Sequence, residues 1–179
     1  KIALEESRTK IAEIINAESN EIIFTSSATE SNNTALKGCA LSERSESKGK
    51  NKKNHIIISS IEHHCVVESA RWLEKQGYKV TKIPVDRYGM VNPKDVEKEI
   101  RPETILVSII HASNEIGTIQ NIAEIGRICM GKKVYFHTDA SQSFGKIKID
   151  VKKMNIDLLT ASSHKIYGPK GAGLLYVRE

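Results

Sequence analysis

Apolar and polar positions follow two different periodicities along this chain. Short, nearly continuous apolar runs such as 56–58 (III) and 105–110 (ILVSII) are typical of strands buried on both faces of a sheet. Segments in which apolar residues recur every three or four positions, such as 2–16, predict amphipathic helices. These patterns predict strands at 22–25, 55–60, 79–83, 104–110, 134–138, 157–161 and 173–177, and helices at 2–16, 30–41, 65–76, 93–100 and 122–130.

Predicted strands and helices alternate through most of the chain. This indicates an α/β fold, with a mainly parallel seven-stranded sheet and helices on both faces. Gly77 suits the C-terminal cap of the third helix, and Asn92 with Pro93 suits the start of the fourth. The last strand follows the turn at 166–173 with no helix between them, so it must pair antiparallel or lie at an edge of the sheet.

Two charged residues stand at strand ends where packing alone gives no reason for them. Lys165 follows the strand at 157–161, with Ser162 and His164 beside it, and Asp139 follows the strand at 134–138. A desolvated lysine amine is nucleophilic and can bond to an aldehyde cofactor. Because parallel strands present their carboxyl ends at one edge, we expect Lys165 and Asp139 to share a site.

A lysine for the aldehyde and a carboxylate for the pyridinium nitrogen are what a pyridoxal 5′-phosphate (PLP) enzyme needs. Taken alone, Lys165 could be a surface lysine and Asp139 a helix cap. The phosphate would bind where the strand at 22–25 turns into the second helix, through 26–29 (SSAT), with Thr29, Ser162 and His164 adding side-chain donors. A helix cap with no ligand is the alternative for this segment.

Five motifs occur in order along the chain, and together with the segments between them they form a pattern that extends from Ile2 to Arg178. They are 24–32 (FTSSATESN), 62–64 (EHH), 114–117 (NEIG), 137–142 (HTDASQ) and 163–171 (SHKIYGPKG). Together they resemble the cysteine desulfurases, which are PLP enzymes of the class V aminotransferase superfamily and fold type I. The segments 124–129 (EIGRIC) and 133–139 (KVYFHTD) are most similar to the mitochondrial, iron–sulfur-cluster type.

The resemblance implies a role for each matching residue. Lys165 would bond covalently to the cofactor aldehyde, and Asp139 would pair with the ring nitrogen. Gln142 would form a hydrogen bond with the ring hydroxyl, and His63 would stack on the ring and transfer protons. Asn114 would lie near that hydroxyl and the substrate carboxylate. The phosphate would be held by Ala28, Thr29, Ser162 and His164.

Some positions depart from the family's pattern. Ser27 and Ser163 stand where glycine is usual, and Ser141 where alanine or threonine is common; glycine at position 163 would permit a close backbone approach. The family's nucleophilic cysteine and its carboxylate-binding arginine have no counterpart in this chain. We therefore expect an internal fragment that is inactive alone, with a segment missing before Lys1 and a small domain missing after Glu179.

The three cysteines are not expected to replace that nucleophile. Cys39 and Cys129 lie in predicted helices and are interpreted as small core residues. Cys65 follows His63 closely, so it is expected near the cofactor without a catalytic role. Three scattered cysteines do not form a disulfide framework and fit a reducing compartment.

The activity that the resemblance implies is removal of sulfur from L-cysteine, giving alanine and a protein persulfide. The implied partners are a second subunit in a homodimer and a sulfur acceptor, either an iron–sulfur scaffold protein or a tRNA-thiolation relay. The implied location is the mitochondrion, a mitochondrion-derived organelle or the cytoplasm. Alternatives are another class V enzyme, such as a selenocysteine lyase or an aminotransferase, and a noncatalytic truncated subunit.

Composition excludes several other classes. With 179 residues, 39% of them hydrophobic, the chain suits one domain, predicted as a PLP-binding large domain over 1–179. The net charge of +5 comes largely from lysines at 42–54, a predicted flexible polar loop that lacks the companions of a nucleic-acid surface. The adjacent histidines His63 and His64 have no further Cys, His or acidic residues at zinc-ligand spacing. The glycines at 168–173 do not have the spacing of a nucleotide phosphate loop. No apolar run is long enough for a membrane span.

Overall fold

The computed structural model describes residues 2–46 and 53–179. Its helices are α1 (Ile2–Ile15), α2 (Ala28–Glu46), α3 (His64–Lys75), α4 (Pro93–Glu99) and α5 (Ile122–Lys132). Its strands are β1 (Ile22–Thr25), β2 (His55–Ser59), β3 (Lys79–Ile83), β4 (Thr104–Ser108), β5 (Tyr135–Asp139), β6 (Leu158–Ser162) and β7 (Gly173–Val177). Each was predicted, with shifted ends in most cases.

The seven strands form one sheet in the order β1-β7-β6-β5-β4-β2-β3. The pairs from β6 through β5, β4 and β2 to β3 are parallel. Strand β7 runs antiparallel to both β1 and β6, so Gly173 lies between Thr25 and Ser162 in the register. The prediction of an antiparallel last strand is confirmed, and this strand lies inside the sheet.

Helices cover both faces of the sheet because successive strand residues point to opposite sides. On one face, Ile57, Val107 and Phe136 pack in a cluster with residues of α1, α4 and α5. On the other, Ile56 and Leu106 pack with residues of α2 and α3. The predicted α/β architecture with helices on both faces is therefore confirmed.

Two local predictions about α2 need correction. The helix begins at Ala28, two residues before the predicted start, and continues to Glu46, where a flexible loop at 42–54 was predicted. Residues 42–46 are therefore helical, because the helix continues from the half that is packed against the sheet. Residues 47–52 of the predicted loop lie outside the described residues.

The predicted helix caps are present. The Asn92 side chain accepts a hydrogen bond from the Lys94 N–H and Pro93 is the first residue of α4, while Gly77 follows α3 with a φ of 85°. Within 2–46 and 53–179, none of the helices combines the length and the apolar character required to cross a bilayer.

Candidate functional site

A cavity of about 280 Å³ lies at the carboxyl edge of the parallel strands. All nine residues singled out from the sequence line it: Ala28, Thr29, His63, Asn114, Asp139, Gln142, Ser162, His164 and Lys165. Three residues that were not assigned a role complete the lining: Ser27, Ile110 and Ser141. The fold thus brings residues from five separate segments into one place, because each follows a strand whose carboxyl end faces this edge.

Asp139 is the buried acid of the cavity. It ends β5 with only 3% of its surface exposed. Its Oδ2 accepts a hydrogen bond from Asn32 Nδ2 at 2.7 Å, and its Oδ1 accepts one from the Ser141 N–H at 2.9 Å. Each carboxylate oxygen keeps lone pairs for a further donor. Asp139 therefore both caps the turn that follows it, as the alternative proposed, and presents a carboxylate to the cavity.

The start of α2 forms a group of backbone donors beside the cavity. The Glu30 carboxylate accepts hydrogen bonds from the Ser26 N–H and Oγ, both at 2.6 Å, and Ser27 Oγ accepts one from the Glu30 N–H at 3.2 Å. These contacts hold the turn in place while first-turn N–H groups, including those of Ala28 and Thr29, have no acceptor within the helix. With the helix dipole, they suit an anion.

Gly173 supports this turn from the neighbouring strand. A Cβ atom added to it would lie 2.6 Å from the Ser27 carbonyl carbon and 2.8 Å from Thr25 Oγ1. Only glycine therefore lets β7 approach the β1–α2 turn so closely. On the next strand, Ser162 is buried and its Oγ lies 2.7 Å from His164 Nδ1, so these two side chains form one hydrogen-bonded unit.

Lys165 lies in a short 3₁₀ turn, Ser163–Ile166, directly after β6. Its side chain is exposed, so the desolvation that we inferred from the sequence is wrong for this structure. The reason is that Lys165 follows the strand by three residues and lies at the mouth of the cavity. Burial of its amine would need further groups over the cavity.

Ser163 fits its position without strain. In the described part of the chain, positive φ outside glycine occurs at Asn16, Lys133, Asn155 and Tyr167, and Ser163 is not among them. Its hydroxyl donates a hydrogen bond to the Pro169 carbonyl oxygen across the turn. The serine that replaces the usual glycine therefore adds a contact inside the turn that carries Lys165.

The two adjacent histidines are both exposed, but only His63 lines the cavity. His63 lines the cavity and caps α3, where its Nδ1 accepts a hydrogen bond from the Cys65 N–H at 3.3 Å. His64 is exposed and lies 3.9 Å from the Glu68 carboxylate. Among the described residues, no group of three or more His, Cys, Asp or Glu side chains is arranged to bind a metal ion.

Sequence reasoning assigned no role to three polar residues at the cavity: Ser141 in its lining, and Asn32 and Glu62 behind it. Glu62 Oε1 accepts hydrogen bonds from Ser59 Oγ at 2.5 Å and from the Ile110 N–H at 2.7 Å. Burial raises the pKa of Glu62 to about 8, so it is mostly protonated at neutral pH. The EHH motif at 62–64 contains Glu62, but only His63 of this motif was assigned a role.

Cys39 and Cys129 do not line the cavity. Cys129 is buried in the core cluster on one face of the sheet, and Cys39 packs against the cluster on the other face. Burial raises the pKa of each thiol to about 12. Such thiols are not nucleophilic near neutral pH. Cys65, by contrast, lies next to His63, with Sγ 2.9 Å from Nδ1.

Comparison with known proteins decides the family. The model of the aminotransferase class-V family matches residues 1–179, which is the whole chain. The chain belongs to the class V aminotransferase family. Members of this family depend on PLP, so the cofactor predicted from the sequence is confirmed.

Similar curated proteins in this family are named cysteine desulfurases. The chain is 54% identical to cysteine desulfurase IscS of Methanosarcina thermophila over 179 residues, which is 100% of this chain and 43% of that protein. It is 54% identical to the mitochondrial cysteine desulfurase of Saccharomyces cerevisiae over 176 residues, covering 98% of this chain and 34% of that protein. The chain therefore spans less than half the length of these relatives.

Solved structures agree with this assignment. A structure described as SspA in complex with cysteine has a TM-score of 0.93 and 46% sequence identity, covering 99% of this chain and 49% of that one. A NifS-like protein has a TM-score of 0.92 and 39% identity, covering 99% of this chain and 48% of that one. The α/β fold is thus that of fold type I PLP enzymes, as predicted.

The class V residues present here fit PLP. The cavity is close to the smallest volumes, roughly 300 Å³, that ligand pockets have. It offers an acid with free lone pairs, helix N–H donors and a lysine. Ser141 Oγ is buried beside it without a hydrogen-bond partner, as expected where a polar ligand would supply one.

Proposed function

We propose that this class V protein is a PLP-dependent cysteine desulfurase. The single observation that supports it most is that the nine residues selected from five separate segments line one cavity. The names of the similar proteins give the reaction, since the relatives that are 54% identical to this chain over the matched residues are named cysteine desulfurases. The solved structure described as a complex with cysteine supports L-cysteine as the substrate.

Each residue would contribute through its own chemistry. Lys165 would bond to the cofactor aldehyde through its amine, and the buried Asp139 carboxylate would accept a hydrogen bond from the protonated ring nitrogen. Gln142 would donate to the ring hydroxyl. Bound PLP would supply a ring that withdraws electrons from the substrate α-carbon. The phosphate would be bound by Ala28, Thr29, Ser162 and His164.

His63 and Asn114 would act on the ligands rather than hold the phosphate. His63 would lie against the cofactor ring and transfer a proton to or from the substrate amine through its imidazole. Asn114, exposed at the cavity rim, would donate its amide hydrogens to the substrate carboxylate.

The reaction balances without an oxidant. A protein thiol, R–SH, takes the sulfur atom of L-cysteine and becomes the persulfide R–S–SH, while the remaining carbon skeleton leaves as alanine. The thiol must be a nucleophilic one, which excludes Cys39 and Cys129 because burial raises their pKa to about 12. We propose a cysteine outside these 179 residues, so the isolated chain would not form the persulfide.

Several partners follow from this activity. Persulfide sulfur would pass to an iron–sulfur scaffold protein or to a tRNA-thiolation relay. A homodimer is supported by exposed apolar side chains next to cavity residues: Ile116, Ile166 and Tyr167. The relatives include mitochondrial proteins, which supports the mitochondrion, a mitochondrion-derived organelle or the cytoplasm as the location.

The decisive experiment locates the covalent bond to the cofactor. The protein at its natural length is incubated with PLP and reduced with borohydride, and its peptides are analysed by mass spectrometry. The pyridoxyl group should be found on Lys165. Lys165→Ala should lose the pyridoxyl group and L-cysteine-dependent alanine release, by roughly a hundredfold or more.

Lys170→Ala is the matched control, because Lys170 is also exposed in the segment between β6 and β7 but does not line the cavity. It should keep both the pyridoxyl group and the activity. A pyridoxyl group on Lys170, or on no lysine, would contradict the assignment. Cofactor binding at Lys165 with no alanine release would favour an aminotransferase, which needs a 2-oxo acid, or a noncatalytic subunit.

A further inference from the structure

A chain of hydrogen bonds links the two cavity residues Asp139 and His63 through two residues that do not line the cavity. Asn32 Nδ2 lies 2.7 Å from Asp139 Oδ2 and 3.1 Å from Cys65 Sγ. Cys65 Sγ in turn lies 2.9 Å from His63 Nδ1. Asn32 is completely buried and Cys65 is 9% exposed, so the link runs through the protein interior.

The chemistry of the groups fixes the direction of these bonds. A carboxylate only accepts, so the Asn32 amide must present its NH₂ group to Asp139, and its second hydrogen then points to Cys65 Sγ. The Cys65 main-chain N–H donates to His63 Nδ1 at 3.3 Å, so this nitrogen carries a lone pair. The Cys65 thiol must therefore donate its hydrogen to Nδ1 as well.

Burial keeps the thiol able to donate. It raises the pKa of Cys65, against the opposing effect of the Asn32 hydrogen bond, so the group is a thiol at neutral pH. Asn32 Oδ1 is buried without a partner, so Asn32 is held through its donor side alone. With two donors on Nδ1, the ring hydrogen of neutral His63 is on Nε2.

We propose that Asn32 and Cys65 are positioning residues that hold His63 as its Nε2–H tautomer and fix its ring relative to Asp139. The inference rests on the proposed function, which assigns His63 and Asp139 to one bound cofactor. It makes Nε2 the nitrogen that faces the ligands in the cavity, so neutral His63 meets the substrate as a hydrogen-bond donor, and protonated His63 can give its Nε2 proton to the substrate.

The substitutions Cys65→Ala and Cys65→Ser separate hydrogen bonding from packing. Alanine and serine are similar in size, but only the serine hydroxyl can accept from Asn32 and donate to His63. Cys39→Ala and Cys39→Ser are the controls, because this thiol is on the same helix as Asn32 and does not line the cavity.

The first measurement needs no cofactor and no activity. In the natural-length protein with ¹⁵N-labelled histidine, the His63 ring signals are assigned through His63→Gln. Wild type should show an unprotonated Nδ1 and a protonated Nε2. Cys65→Ala should move the Nδ1 signal, Cys65→Ser should restore most of the shift, and the Cys39 variants should leave it unchanged. A protonated Nδ1 in the neutral wild-type ring would overturn the proposal.

The second measurement is turnover of L-cysteine by the PLP-loaded protein. Cys65→Ala should lower kcat roughly three- to tenfold, the effect of one hydrogen bond, with KM changed less than twofold. Cys65→Ser should recover most of kcat. If serine is no better than alanine in both measurements, Cys65 only packs and the proposal fails. If wild type forms no alanine, the proposed function fails, and the histidine signals alone decide the positioning role.

Discussion

The two ends of the parallel strands differ in whether their buried polar side-chain atoms have hydrogen-bond partners. At the amino end of β2, the two His55 ring nitrogens lie 2.8 Å from Thr104 Oγ1 and 2.9 Å from Thr81 Oγ1. At the opposite edge, and among the described residues, three buried side-chain atoms have no partner: Asn32 Oδ1, Glu62 Oε2 and Ser141 Oγ. All three residues lie at or behind the cavity.

The contrast shows where the fold sacrifices stability for a ligand. An unpaired buried polar group is unfavourable because water is lost and nothing replaces it. Paired groups such as His55 stabilise the sheet, whereas unpaired groups beside a cavity are satisfied only when a ligand or a neighbouring chain supplies partners. Three predictions test this contrast, taken from the largest expected effect to the smallest.

Glu62→Gln should change how stability depends on pH. Because the pKa of Glu62 is raised from 4.5 to about 8, the folded state binds this proton more tightly than the unfolded state. Wild-type stability should therefore fall as pH rises through that window, and at about 1.4 kcal/mol per pKa unit the contribution amounts to several kcal/mol. Glutamine mimics the neutral acid, so the free energy of unfolding of the variant should rise relative to that of wild type as pH rises.

Urea denaturation at pH values between about 5 and 8 measures this difference. Glu115→Gln, an exposed change on the loop after β4, should follow wild type throughout. A constant gap between Glu62→Gln and wild type across the range would mean that Glu62 does not titrate there.

Gly173→Ala should weaken the folded state and PLP binding together. The new Cβ would lie 2.6 Å from the Ser27 carbonyl carbon, so the β1–α2 turn must move, at a cost of about 1–3 kcal/mol. Because the same turn supplies the N–H donors for the phosphate, PLP affinity should fall as well. Urea denaturation and PLP titration measure the two effects.

Gly38→Ala is the control for this glycine, since nothing lies within 4 Å of its added Cβ and it is inside α2. It should be neutral or stabilising by up to about 1 kcal/mol. If Gly173→Ala lost stability but kept its PLP affinity, the β1–α2 turn would not be the phosphate-binding site.

Ser141→Ala and Ser143→Ala compare an unpaired hydroxyl with a paired one in the same turn. Ser143 Oγ lies 2.8 Å from His111 Nδ1, so its loss should cost about 1–3 kcal/mol of unfolding free energy. Ser141 Oγ has no partner, so its loss should change stability by less than about 0.5 kcal/mol while weakening PLP binding several-fold. Equal stability losses would remove the distinction between the two serines.

Much of the fold followed from local patterns. Buried strands such as β2 and β4 have continuous apolar runs, and the caps at Asn92 and Gly77 marked helix ends correctly. The end of α2 was missed because a polar helix face and a polar loop have the same composition. The candidate residues of the cavity were found because each stands just after a strand or belongs to a motif of the cysteine desulfurases.

The sequence by itself determined the alternation of elements, the family and nine of the twelve residues that line the cavity. Only the tertiary structure decided that Asn32 reaches Asp139 across 107 positions, that Cys65 contacts His63 and that Lys165 is exposed. The physical reason is that strand and helix patterns depend on near neighbours. A hydrogen bond between a helix and a distant strand depends on how the two elements pack, which no local pattern encodes.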